Sequence, residues 1–267
     1  MTEVRAKKAL GQHFLVDLNI ARKICDALSG GTAEAPATVL EVGCGMGVLT
    51  QFLLQRSDLT TYGAEIDTES VDYLHDRFPA FAPRLIAGDF LKMDLRAAFP
   101  DVPALRIIGN FPYNISSQIF FKILEHRDFV PECVGMIQKE VAVRLAEPPG
   151  SKEYGILSVL LQAWYDIEYL FTVSESVFNP PPKVKSAVIR LRRNGVAQLD
   201  CDERLFVRVV KASFGQRRKM IRNSLRAAFG DFGGAEHPFF TSRAEQLSVG
   251  QFVELTNWVE TKVKSER

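Results

Sequence analysis

Over the first 195 residues, short apolar runs alternate with amphipathic ones. VDLNIARKICDAL repeats apolar residues at Leu18, Ala21, Ile24 and Leu28, the spacing of one helix face. TVLEVG is a brief apolar strand ending in a glycine turn, and GVLTQFLLQR after it carries a helical pattern. The order repeats with LTTYGAEID as a strand, ESVDYLHDRF as a helix and RLIAGD as a third strand. LRIIGN is a fourth strand and SSQIFFKILEH the helix after it, while ECVGMIQ and YGILSVLLQAW continue the alternation. Strand and helix in turn at short spacing predict a parallel sheet with helices on both faces. Two later runs, DIEYLFTV and SAVIRLRR, flank SESVFNPPPKVK and predict a hairpin-like pair closing one sheet edge.

Past about residue 196 the strand pattern stops. DERLFVRVVKASF and QRRKMIRNSLRAAF are helical, with Gly215 and Gly230 as stops, and SRAEQLSVGQFVELTNWVETKV adds further helices. The expected organisation is an α/β domain over residues 1–195 and a small all-α domain over 196–267.

Composition narrows the class. Apolar residues make up 46% of the 267 and charged residues 24%, ordinary for a globular protein. No apolar stretch approaches a membrane span, and the basic start MTEVRAKKALGQHF lacks the apolar core of a secretion signal. Cys25, Cys44, Cys133 and Cys201 are far apart and read as free thiols in a reducing cytoplasm. The four histidines stand alone and no HExxH occurs, so no metal is expected. A cytoplasmic monomer that touches no membrane is the simple expectation. The net charge of +1 hides an asymmetry: residues 183–222 hold 12 Lys and Arg against 3 Asp and Glu. Such an excess suits either a polyanion partner or a solvated basic surface.

The glycines of VLEVGCGMGVLT, Gly43, Gly45 and Gly47, fall at a strand-to-helix turn with GxGxG spacing. A dinucleotide fingerprint needs its third glycine one residue later, which disfavours NAD. Glu65 ends the second strand, where a carboxylate can accept from both ribose hydroxyls of a nucleoside. Asp89 ends the third strand and can accept from an adenine amino group while Phe90 lines the ring. Acids at strand ends also serve as helix caps. Three such signals on successive strands point to a nucleoside at the sheet's crevice. With no phosphate-binding lysine loop in sight, S-adenosylmethionine fits.

The fourth strand leaves through GNFPYN, which puts Asn110 beside that crevice. An exocyclic adenine amine is a poor nucleophile because its lone pair is delocalised into the ring. Acceptors aimed at its two hydrogens favour the pyramidal nitrogen that attacks a methyl group. The Asn110 side-chain oxygen and the Pro112 carbonyl can be those acceptors, and Tyr113 can stack on the base. No strong base is needed when the methyl donor is already activated. Phe178, in VFNPPPK, is a candidate for the other side of the base, on a loop stiffened by proline. The alternative is a structural turn with an aromatic plug, and Phe111 can pack beneath it.

With these residues in place the chain resembles the KsgA family of small-subunit ribosomal RNA adenine N6,N6-dimethyltransferases. KKALGQHFL, VLEVGCGMGVLT, AEID, GDFLKMD, GNFPYNIS, MIQKEVAVRL, YGILSV, VFNPPPKVKSAVIRL and FGQRRKMIRNSL carry the resemblance over nearly the whole length. The last two separate it from enzymes that dimethylate large-subunit RNA. The resemblance implies a Rossmann-like class I methyltransferase domain with a mostly parallel sheet, plus a small all-α C-terminal domain. It also implies methyl transfer from S-adenosylmethionine to two adjacent adenosines near the 3′ end of small-subunit RNA, within a partly assembled subunit. The positions it matches for the cofactor are Leu15, Gly43, Glu65, Asp89 and Asn110. Gly45, Phe90 and His13 join them, although His13 replaces an Asn common in this family and Phe111 a Leu or Ile.

For RNA the expected contacts are Lys183, Lys185, Arg217, Arg218, Lys219 and Arg222. Arg218, Arg222 and Arg226 are four apart and would share one helix face, beside an apolar stripe of Ile221, Leu225 and Phe229. That helix can also simply cover its domain. Two further functions stay open at this point: an assembly factor whose methylation is incidental, and a DNA adenine methyltransferase.

Overall fold

The computed structural model describes Val4, residues 6–216 and residues 218–265. The strands are β1 (Phe14–Leu15), β2 (Ala37–Val42), β3 (Leu59–Glu65), β4 (Leu85–Ala87), β5 (Leu105–Asn110), β6 (Glu132–Gln138), β7 (Tyr165–Val173), β8 (Phe178–Asn179) and β9 (Ser186–Arg193). The α-helices are α1 (Leu18–Asp26), α2 (Thr50–Leu53), α3 (Thr68–Arg77), α4 (Leu95–Ala98), α5 (Ser116–Glu125), α6 (Lys139–Ala146), α7 (Ile156–Gln162), α8 (Glu203–Gly215), α9 (Ile221–Phe229) and α10 (Val249–Ser265). They form two compact units.

The first unit, residues 1–142 and 167–193, is built on a seven-stranded sheet in the order β4-β3-β2-β5-β6-β9-β7. The pairs β3–β4, β2–β3, β2–β5 and β5–β6 are parallel, and β9 runs antiparallel to β6. The two late β-runs end up as neighbours at one edge, as their pattern predicts. Between them, β8 turns aside and pairs antiparallel with β1. Chain order reverses between β2 and β5, which opens a crevice at the carboxyl ends of these strands.

Strand alternation puts Val39, Ile108, Val134, Met136 and Val188 into one cluster with Ala21, Ile24, Cys25 and Leu28 from α1 and the turn after it. Leu18, expected on the same stripe, is instead 52% exposed at the start of α1, where Asp17 caps the helix through Asn19 N and Ile20 N. The run GVLTQFLLQR is α-helical only over Thr50–Leu53, because the residues before it form turns that follow the glycines.

The second unit comprises residues 143–166 and 194–267. The division differs from the expected break at 195/196, and packing explains the difference. Trp164 meets Phe206 of α8 edge-on, ring centres 6.1 Å apart, and Tyr154 lies 6.4 Å from Phe214. Gln162 Nε2 donates to Leu145 O at 2.8 Å, tying α7 to the end of α6. The apolar α7 thus finds its core among C-terminal helices. A second cluster joins Phe232, Phe240 and Trp258.

One helix expected over residues 216–229 starts late. Gln216, Arg218 and Lys219 lie outside any helix, with Lys219 N donating to Gln216 O at 2.8 Å, and Met220 is extended before α9 begins at Ile221. Arg218 therefore shares no helix face with Arg222 and Arg226. Among the described residues, no helix is long and apolar enough to cross a membrane, and no group of three or more His, Cys, Asp or Glu side chains could hold a metal ion.

Candidate active site

The cleft at the carboxyl ends of β2–β5 collects His13, Leu15, Gly43, Gly45, Glu65, Asp89, Phe90, Asn110, Pro112 and Tyr113. Five separate segments deliver these ten side chains or backbone positions, and all are legible as candidates in the sequence. Phe178 is the exception. It pairs with Leu15 across the β1–β8 ribbon and is buried in the core of the first unit, only 4% exposed. In this conformation it offers no face to a base in the cleft.

The glycine turn works through backbone geometry. Gly43, Gly45 and Gly47 have φ of 75°, 52° and 75°, a region that side chains with a Cβ rarely enter. In that conformation Gly45 N donates to Glu65 Oε2 at 2.8 Å, while Asp67 N donates to Oε1 at 2.8 Å. An ionised carboxylate has about four acceptor sites, so about two remain for hydroxyl donors. Burial raises the Glu65 pKa, and the Asp67 and Gly45 amides counter that shift by stabilising the charged form.

Behind the turn lies Glu41, a cleft-lining residue that sequence reasoning missed. Its signal was a lone acid inside the apolar strand VLEV. Glu41 is 1% exposed and accepts from Thr50 Oγ1 at 2.6 Å. Burial pushes its pKa up to about 8; the Thr50 bond opposes that rise and the charge of Glu65 adds to it. The folded state thus keeps a proton that the unfolded chain, with a pKa near 4.5, releases. The stability this provides is full below the unfolded value and is lost as pH rises through the folded value. Glu41→Gln should therefore flatten the fall in stability between about pH 5 and pH 8. Urea unfolding across that range checks it, and an unchanged slope would mean that Glu41 titrates normally.

At the end of β4, Asp89 Oδ1 accepts from Leu91 N at 2.9 Å and caps a short 3-10 helix, Phe90–Lys92. The cap uses part of the carboxylate; Oδ2, 3.9 Å from Lys92 Nζ, keeps acceptor capacity. Phe90 is buried beside it, with Lys122 Nζ 5.7 Å from its ring centre.

The GNFPYN turn divides its labour. Phe111 is the plug: it is 1% exposed and meets Phe120 edge-on at 5.9 Å. The space for it comes from Gly109 and Gly135, where an added Cβ would lie 2.7 and 2.5 Å from the ring. Asn110 Nδ2 donates to His13 O at 3.0 Å, which fixes the amide flip and leaves Oδ1 as a free acceptor. Pro112 O accepts from Ile115 N at 3.2 Å and retains its second lone pair. The Tyr113 hydroxyl meets Ser186 Oγ at 2.5 Å, and its ring lies against His13, with centroids 5.5 Å apart.

Of the residues expected at RNA, Lys183 and Lys185 are exposed on the first unit, where Lys139 N donates to Lys185 O at 2.9 Å. Arg218 and Lys219 are exposed on the second unit. Arg222 is half-buried, ion-paired with Glu236 and stacked 5.7 Å from the Phe240 ring centre, so its charge is already partly answered. Arg217 lies outside the described residues.

The donor set of the cleft fits S-adenosylmethionine. Glu41, Glu65 and Asp89 line it, and among the described residues no Lys or Arg does. A nucleotide phosphate would meet the carboxylates of Glu65 and Asp89 there, whereas a sulfonium with an adenosine and no phosphate suits acids, glycine amides and the apolar walls of Leu15 and Phe90.

Comparisons with known proteins agree. A curated ribosomal RNA small subunit methyltransferase A from Parabacteroides distasonis is 60% identical over 258 residues, covering 96% of this chain and 94% of its own. A dimethyladenosine transferase from Plasmodium falciparum has the same fold, with a TM-score of 0.76 at 23% identity over 94% of this chain and 98% of its own. The 23S rRNA methyltransferase ErmE is 26% identical, with a TM-score of 0.64 over 91% of this chain and 99% of its own. The model of the family described as "Ribosomal RNA adenine dimethylase" matches residues 3–261. The chain belongs to the ribosomal RNA adenine dimethylase family.

Proposed function

We propose that this protein forms N6,N6-dimethyladenosine at two adjacent adenosines near the 3′ end of small-subunit ribosomal RNA, using S-adenosylmethionine, and that its substrate is an immature small subunit. As a ribosomal RNA adenine dimethylase it is an S-adenosylmethionine-dependent methyltransferase. The observation that carries the finer reading is the free Oδ1 of Asn110, oriented by His13 O in the same cleft as the glycine turn and Glu65.

S-adenosylmethionine supplies an electrophilic methyl group when bound. Glu65 holds the ribose hydroxyls with its remaining lone pairs, and Asp89 accepts from the adenine amino group over Phe90. Asn110 Oδ1 and Pro112 O accept from the two hydrogens of the target amine and localise its lone pair. Tyr113 stacks on the target base. No side chain has to take the amine proton, which can leave to water. Alignment supplies much of the rate. Lys183, Lys185, Arg218 and Lys219 hold RNA phosphates without reading sequence, and Arg222 contributes less because Glu236 answers its charge. The protein acts as a monomer in the cytoplasm.

The test offers labelled S-adenosylmethionine with immature small subunits, naked small-subunit RNA and DNA. Label is expected in adenosines of the subunits, above naked RNA and absent from DNA. Equal labelling of DNA would contradict the reading. Replacing Lys183, Lys185, Arg218 and Lys219 by Gln should weaken subunit binding and reduce its salt slope by about one for each phosphate that is no longer neutralised. Cofactor affinity should not change.

A further inference from the structure

His13 touches three parts of the site at once. Its Nδ1 lies 2.8 Å from Pro180 O. A carbonyl only accepts, so Nδ1 carries the proton and donates. Its imidazole lies against Tyr113, centroids 5.5 Å apart and planes 30° from parallel. Its backbone carbonyl accepts from Asn110 Nδ2 at 3.0 Å. The β1–β8 ribbon starts at the next residue, with Phe14 opposite Asn179, and so holds His13 in register with Pro180.

Tyr113 has a second anchor at its tip, where the hydroxyl meets Ser186 Oγ at 2.5 Å and Ser186 is fully buried. That bond fixes the tip of the ring and constrains its plane only weakly. Rotation about χ2 turns the ring on the axis from Cβ through the hydroxyl oxygen, and χ2 of tyrosine is a broad torsion. A neighbour packed on the ring face does restrict it, and His13 is that neighbour. The ring plane is what a stacked base must match.

We infer that His13 is a positioning residue for the methyl acceptor: its imidazole, held by Pro180 O, fixes the plane of the Tyr113 ring. The role differs from the cofactor contact expected of this position. It rests on Tyr113 as the stacking platform. The backbone carbonyl that orients Asn110 would survive any substitution, so side-chain changes at 13 report on Tyr113.

The experiment is a double-mutant cycle with His13→Ala and Tyr113→Ala, reading kcat on small subunits and cofactor Kd by calorimetry. We expect His13→Ala to lower kcat at saturating cofactor by about tenfold or more through misplacement of the base, whatever its effect on cofactor Kd. The double variant should be no slower than Tyr113→Ala alone, because the two residues act as one unit. His13→Phe keeps a ring face and should recover most of the rate, while His13→Asn keeps a donor toward Pro180 and should stay slow. Rate effects that multiply in the double variant would overturn the inference, as would a weakened cofactor Kd with unchanged kcat, or recovery by Asn and not by Phe. A wild-type rate for Tyr113→Ala would remove the stacking role itself, and this inference with it; a slow Tyr113→Ala with independent effects would overturn this inference alone.

Discussion

Asn110→Ala is expected to lower kcat for adenosine methylation by about 10²–10³-fold, the usual cost of removing one preorganised polar partner of a reacting group. The side chain ends β5 at the crevice and cannot turn its amide, because Nδ2 is committed to His13 O. What remains is an oxygen of fixed direction, which is what a delocalised amine needs if its lone pair is to point at a methyl group. Alanine removes that oxygen and leaves the turn standing, since Phe111 anchors it from below against Gly109 and Gly135. Thermal unfolding should accordingly change little. Single-turnover kinetics at saturating cofactor reads the effect on the chemistry. A wild-type rate would reduce GNFPYN to a turn with a plug.

Glu65→Ala should weaken S-adenosylmethionine binding by roughly ten- to a hundredfold, or about 1–3 kcal/mol. Two effects combine. The ribose hydroxyls lose their acceptor, and the amides of Gly45 and Asp67 lose theirs, so the glycine turn is no longer pinned to the end of β3. Glutamine is not a mild replacement, because its NH₂ would face one of two N–H donors. Calorimetry on the folded variants gives the number, and kcat at saturating cofactor should stay near wild type. Unchanged affinity would move the ribose elsewhere in the cleft.

Much of this architecture was legible in the pattern of residues. Alternating apolar runs predict the parallel sheet, and glycines and acids at three successive strand ends mark its crevice before any coordinates. The parts that were not legible depend on packing between distant residues. The flip of the Asn110 amide is set by a carbonyl 97 positions away. Phe178 is drawn into the core by pairing with Leu15, a partner from the far end of the chain. The segment of Tyr154 and Trp164 packs on Phe214 and Phe206, which places it with the C-terminal helices despite its βα pattern. Four-residue spacing of arginines suggested a continuous face, yet α8 ends at Gly215, Arg218 lies outside any helix, and a new helix starts only at Ile221. Glu41 stood in plain view, but its proton follows from depth and from Glu65, neither of which a strand pattern reports.

The central claim is that one cleft joins the methyl donor, held by the glycine turn and Glu65, to an adenine amine held at Asn110. The most direct test is nucleoside mass spectrometry of small-subunit RNA after incubation of unmethylated immature subunits with isotopically labelled S-adenosylmethionine. The account predicts label in N6,N6-dimethyladenosine at two adjacent positions with the wild-type protein, and its near-complete loss with folded Asn110→Ala at saturating cofactor. Label on another base or another ring atom, or equal dimethylation by Asn110→Ala, would contradict it.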